Sequence, residues 1–188
     1  MFTRFLSASL LLGCTVFAQQ LAAADVFTLK SSDIKAGASL DIAQVANSFG
    51  CSGKNISPAL SWQHAPKDTK SFVLTVYDPD APTGSGFWHW VVFNIPATAT
   101  GLPQGVGVND KAALPVGAIQ SRTDTGVPGF IGACPPQGDK PHRYQFTLYA
   151  LDVESLPLMA ETTPAVVGFN VHFHTLAKAQ FEAIYQRK

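Results

Sequence analysis

Two short stretches of this sequence concentrate the side chains able to do chemistry. Asp78-Pro79-Asp80-Ala81-Pro82 leads on to His89, and Cys134-Pro135-Pro136 leads on to His142-Arg143-Tyr144. Each is a proline-rich loop followed by a histidine that enters an apolar run. Proline fixes φ, so such loops hold one shape with little conformational entropy left to lose. Imidazole and phenol hydroxyl groups donate well to phosphate oxygens. Backbone N–H groups between Gly132 and Gly138 add further donors. Retention of a small oxyanion is the chemistry that fits. Asp78 and Asp80 repel an anion, so they need another role. Asp78 can accept from an imidazole, fix its tautomer and favour the imidazolium. Alternatively, either carboxylate meets the ammonium of a zwitterion such as phosphoethanolamine.

Each residue also has a plainer use. Asp78 and Asp80 could cap turns, His89 could be a satisfied core histidine, His142 an edge-strand surface residue and Tyr144 core packing. Trp88 and Trp90 read as core, with one of them available to wall a pocket. His172 and His174 face apart on a helix, so no metal site is expected from them, and no other spacing supports one. No cofactor is expected. A hydrolase is the weaker alternative, because no Gly-x-Ser-x-Gly elbow occurs and Ser57 and Ser85 lack an activating context. The expectation is binding without turnover. A protein-interaction or protease- or kinase-inhibitor-like role, independent of the pocket, is the other alternative.

The elements that must position these residues read mainly as strands. Val26–Leu29 is a first strand, and Ser57–Trp62 is a turn feeding a short one. Ser71–Tyr77 is apolar and β-branched, a buried strand. Phe87–Ile95 is apolar on both alternating faces, with Phe87, His89, Val91 and Phe93 on one and Trp88, Trp90, Val92 and Asn94 on the other. Residues 97–130 read as irregular connections. His142–Leu151 places His142, Tyr144, Phe146, Leu148 and Ala150 on one face. Thr163-Pro164 is a helix start, a hydroxyl N-cap followed by proline, with the helix running to Leu176. Ala179, Phe181, Ala183 and Tyr185 alternate with polar residues in a half-exposed final strand. The expected fold is mainly β: two antiparallel sheets with one or two short helices.

Composition agrees with one globular domain. Of 188 residues, 46% are hydrophobic and 14% charged, which is far from disordered. Basic and acidic residues number 13 each with no basic run, which excludes nucleic acid and an anionic membrane surface as main partners. Residues 1–24 read as an export signal: Arg4, an apolar stretch from Phe5 to Ala18, then Ala22-Ala23-Ala24, with the domain spanning 25–188. The apolar stretch is too short for a stable membrane span. Localisation is expected to be periplasmic or secreted, with lipoprotein processing at Cys14 the lesser option. Cys51 and Cys134 then remain as an even pair in an oxidising compartment, and a disulfide between them is expected.

The two signatures, Asp78-Pro79-Asp80-Ala81-Pro82 with Phe87-Trp88-His89-Trp90 and Gly132-Ala133-Cys134-Pro135-Pro136 with His142-Arg143-Tyr144, resemble those of the phosphatidylethanolamine-binding protein family. Asn55-Ile56-Ser57-Pro58-Ala59-Leu60-Ser61-Trp62 resembles the corresponding stretch of its bacterial, Raf-kinase-inhibitor-like branch. The resemblance covers about residues 26–187. It implies antiparallel sheets of that family's type with a small anion pocket at one end. By residue match it implies pocket roles for Asp78, Pro82, His89, Pro136, His142 and Tyr144, and it places Cys134 where many eukaryotic members carry Gly. Phosphate or a phosphorylated small molecule or headgroup is the implied ligand, a protein partner is an alternative, and a homodimer is implied by bacterial relatives. No counterpart to the C-terminal helix of animal members is expected, so kinase inhibition is expected to transfer poorly.

Overall fold

The structure is a computed structural model that describes residues 25–108 and 114–188; the expected export signal and Cys14 lie outside these residues. Among the described residues eight strands form two antiparallel sheets. In chain order they are β1 (Thr28–Ser31), β2 (Leu60–Gln63), β3 (Ser71–Asp78), β4 (Phe87–Pro96), β5 (Gly101–Leu102), β6 (Ile119–Gln120), β7 (His142–Leu151) and β8 (Thr175–Tyr185), with helix α1 (Pro164–His174) between β7 and β8. A 3-10 turn covers Ile42–Gln44. The small sheet has the order β1-β2-β5 and the large one β6-β4-β3-β7-β8.

β3 is paired on both edges and packed on both faces, which is why Ser71–Asp78 reads as a nearly continuous buried apolar run. The main core fills the space between the sheets. Phe72 meets Trp62 at 5.4 Å between ring centroids, and Phe146 stacks on Phe181 at 4.8 Å. Burying each such side chain stabilises the fold by roughly 1.5–3 kcal/mol. A second, smaller core on the outer face of the large sheet joins Val73, Val91, Phe93 and Leu151 to Val167 and Val171 of α1.

The expected fold class is observed, and β7 alternates as read, with Tyr144, Phe146, Leu148 and Ala150 all in the main core. Thr163 caps α1, its hydroxyl accepting from the Val166 N–H, with Pro164 next. The helix stops at His174 rather than Leu176, because Thr175 turns extended and pairs with Leu151 as the first residue of β8. The 97–130 region, read as irregular, contributes the two-residue strands β5 and β6.

Strict alternation in β4 is the clearest correction. Val76 pairs with Trp90 but Tyr77 pairs with Trp88, so His89 is an extra residue bulged out of the ladder. A second shift lies between the Leu74–Val92 and Phe72–Ile95 pairs, where Asn94 takes φ 57°. Each bulge reverses the facing of the residues beyond it. Trp90, Val92 and Ile95 therefore face the main core, while Val91 and Phe93 face α1. His89 falls on the same side as Tyr144 of the main core, its ring edge-on to that tyrosine at 5.2 Å, and is not grouped with Val91 and Phe93.

Candidate functional site

The C-terminal end of β3 and the N-terminal ends of β4 and β7 lie side by side, since Asp78 pairs with Phe87 and Tyr77 with Gln145. This register brings both signatures to one end of the sandwich. There they enclose a cavity of about 250 Å³. Asp78, Pro82, His89, Cys134, Pro136, His142 and Tyr144 all line it.

Asp80 does not line it. Its carboxylate takes three hydrogen bonds from Arg143, from the backbone N–H at 3.0 Å, Nε at 2.9 Å and Nη2 at 3.0 Å. Asp80 thus pins the Pro loop to the start of β7 and acts on the cavity through that loop. The bonds from Arg143 hold its carboxyl at about 2, below the ordinary 3.8. A depressed carboxyl stabilises the fold above its unfolded value, and that stabilisation fades as pH falls from about 4 to about 2. Arg143 is 50% exposed, so the pair contributes at most about 1 kcal/mol. Arg143→Ala is expected to lower the urea midpoint slightly at pH 7 and to flatten the acid limb. Equal losses at pH 7 and pH 2 would refute the assignment.

Asp78 is buried, and each of its oxygens has a donor. Oδ1 accepts from the Asp80 N–H at 2.8 Å, closing the turn, and Oδ2 from His142 Nδ1–H at 2.7 Å. The expected carboxylate–imidazole contact therefore forms with His142. His142 Nε2 lies 3.4 Å from Asp139 Oδ2, so the ring sits between two carboxylates.

His89 is held differently. Its Nδ1–H donates to the Ile131 carbonyl at 2.9 Å, and its own carbonyl accepts from the Ile131 N–H at 3.0 Å. A carbonyl can only accept, so the Nδ1 proton is fixed and Nε2 is the free position. Burial pushes the imidazole below its ordinary value, outweighing the Ile131 carbonyl and the Asp78 carboxylate, which pull it up. His89 Nε2 and Tyr144 Oη are both buried without a hydrogen-bond partner. Burial, with Asp78 nearby, raises the Tyr144 phenol, which stays protonated. Among the described residues no Lys or Arg lines the cavity.

Sequence reasoning missed Phe49, Phe87 and Ile131 in the lining and Asn55 behind it; Gly132 lines the cavity, but its N–H, expected as a ligand donor, is taken by Asn55. Asn55 is buried at φ 52°. Its Oδ1 accepts from the Gly132 N–H at 2.7 Å and its Nδ2 donates to the Phe130 carbonyl at 3.4 Å, so one amide shapes the wall beside His89. Neither Trp88 nor Trp90 walls the cavity. Trp90 is fully buried and donates to Gln120, and Trp88 stacks on Tyr77 on the other face. Cys51 and Cys134 form the expected disulfide, Cα–Cα 5.9 Å, on the cavity's rim. His174 pairs with Asp152 at 3.0 Å while His172 packs against Phe173, so the two rings have separate partners.

Fold and cavity define a small antiparallel β-sandwich with a buried polar pocket at one end of its larger sheet. The chain belongs to the phosphatidylethanolamine-binding protein family, whose profile matches residues 30–186. It is 48% identical to the UPF0098 protein YbcL of Escherichia coli over 183 residues, 97% of this chain and 98% of that one. To the UPF0098 protein YbhB of the same organism it is 52% identical over 157 residues, covering 84% and 98%. The crystal structure of E. coli YbcL, a member of the mammalian PEBP family, superposes with a TM-score of 0.84 at 50% identity, covering 86% of this chain and 99% of that one. The homologue CT736 of Chlamydia trachomatis superposes with a TM-score of 0.70 at 30% identity, covering 86% and 98%.

Proposed function

We propose that this protein holds a small oxyanion of the phosphate or phosphoethanolamine type in the cavity, without turning it over. The observation that carries this reading is the convergence of two buried, unpartnered polar atoms, His89 Nε2 and Tyr144 Oη, in a cavity sized for a headgroup. Buried polar groups are almost always paired, and leaving one unmet costs about 1–3 kcal/mol. A ligand that meets both recovers that cost. The Asp78 carboxylate, which lines the cavity beside His142, favours a zwitterion, whose ammonium it can face.

Absence of turnover is supported by what two hydroxyls do, that of Thr83 in the lining and that of Ser57 outside it. Thr83 donates to the Gly86 carbonyl and Ser57 to the Val106 carbonyl, so neither is paired with a histidine as a nucleophile would be. The disulfide supports export to an oxidising compartment.

Calorimetry tests the reading. Wild type is expected to bind inorganic phosphate and phosphoethanolamine, and His89→Ala and Tyr144→Phe each to weaken binding about tenfold or more. Asp80→Asn, outside the cavity, should retain most of it. No heat from wild type at millimolar ligand would remove the anion reading. Steady hydrolysis of a phosphoester panel, lost in His89→Ala, would replace binding with catalysis.

A further inference from the structure

We propose that the cavity selects an oxyacid that still carries one O–H, which His89 and Tyr144 read as an acceptor and a donor, so that a phosphate monoester binds as its monoanion. This rests on the anion reading above and specifies its ligand.

The geometry sets the two roles separately. The Ile131 carbonyl takes the Nδ1 proton of His89 and burial disfavours the charged ring, so the nitrogen left for the ligand is the unpartnered Nε2 lone pair. That atom needs an incoming hydrogen. Tyr144 Oη is the opposite case: a protonated phenol with nothing to donate to. The two rings meet edge to face, 5.2 Å between centroids. One ligand O–H and one ligand oxygen, on adjacent positions of a tetrahedral centre, satisfy both.

Charge points the same way. The groups that face His89 are Asp78 from β3, His142 and Tyr144 from β7, and Asp124 from the segment paired with Trp88. The carboxylates among them disfavour a second negative charge on the ligand. With no Lys or Arg in the lining among the described residues, nothing offsets a dianion. A dianion would also aim a lone pair at a lone pair on Nε2. A monoanion removes both repulsions at once. Protonating His89 instead would place a buried imidazolium there, which desolvation opposes.

Two isosteric probes separate a proton on the ligand from a proton on the protein. At pH 5 methyl phosphate and methyl sulfate are both monoanions of the same shape, and only the phosphate has an O–H. Calorimetry on the intact protein is expected to give at least about tenfold tighter binding of methyl phosphate at pH 5. Its affinity should then fall as pH rises past the second ionisation of the phosphate, about pH 6. His89→Gln should bring the two ligands close to equal affinity, because an amide can donate as well as accept. Tyr144→Phe should weaken both by the same factor and keep their ratio. Equal binding of the two probes at pH 5, falling in parallel on raising the pH, would put the proton on His89 and overturn the inference while leaving the anion reading intact. So would methyl phosphate affinity that holds or rises to pH 8. Binding of neither probe at any pH would remove the anion reading, and this inference with it.

Discussion

Replacing Cys51 and Cys134 together with serine is expected to destabilise the protein by about 4.5 kcal/mol, the loop-closure term for the 83-residue separation they bridge. For a chain of this size that corresponds to a fall in melting temperature of about 10–18 °C. The effect is not only on the unfolded chain. Cys134 lines the cavity, and so does Phe49, at φ 54° two residues before Cys51, with its carbonyl oxygen 3.4 Å from Cys134 Sγ. Without the bond, the 48–51 turn loses its covalent tie to Cys134 in the cavity wall, and neither the Cys51 N–H to Ser48 carbonyl bond nor the Arg187 bond to the Gly50 carbonyl at 2.7 Å reaches that wall. Phosphate affinity should therefore drop along with stability. Urea unfolding of oxidised wild type, reduced wild type and the double serine variant decides the matter. The last two are expected to coincide. A serine variant within about 1 kcal/mol of the oxidised protein would mean that other contacts already close this loop and that the bond adds little.

How much of this site was legible depended on whether a residue acts through strand alternation or through an irregular segment. His142 and Tyr144 sit in β7, whose ladder with β3 runs without a shift from Ser71–Leu151 to Tyr77–Gln145. Period-two reading therefore placed them correctly. His89 was picked out by its neighbours, but its facing was not, because a bulge has no local signature in an unbroken run of large apolar residues. The disulfide followed from counting the cysteines left once residues 1–24 are read as an export signal. Asp80 was expected in the lining and lies outside it: its partner Arg143 is 63 positions away, and only the register of β3 on β7 brings them together. Ile131 and Asn55 could not be found by pattern, since each acts through a pair of hydrogen bonds to residues distant in sequence, Ile131 to His89 and Asn55 to Gly132 and Phe130.

That loop scaffold makes the strongest remaining claim on the structure. Residues 44–46 thread between 53–55 and 132–133. On one side the Gly53 N–H donates to the Ala46 carbonyl at 2.7 Å and the Asn55 N–H to the Val45 carbonyl at 2.8 Å. On the other side Ala133 bridges Ala46 and Gln44, its carbonyl accepting from the Ala46 N–H and its N–H donating to the Gln44 carbonyl, both at 3.0 Å. Such close approach needs glycine. A Cβ on Gly132 would lie 2.4 Å from the Gln44 carbonyl oxygen and 2.6 Å from the Ala46 nitrogen, both backbone atoms that cannot rotate away. Gly132→Ala is therefore expected to cost about 3 kcal/mol by overpacking. It should also weaken phosphate binding, because Gly132 lines the cavity and its N–H anchors Asn55. Gly168→Ala supplies the opposite case. Gly168 is exposed inside α1, its φ is ordinary, and an added Cβ meets nothing within 4 Å. There the same substitution should stabilise by about 0.5–1 kcal/mol, because alanine loses less backbone entropy in a helix. Thermal unfolding and phosphate calorimetry on both variants read out the contrast. Gly132→Ala with wild-type stability and affinity would show that the 44–46 segment can move aside, and that the cavity wall does not depend on this packing.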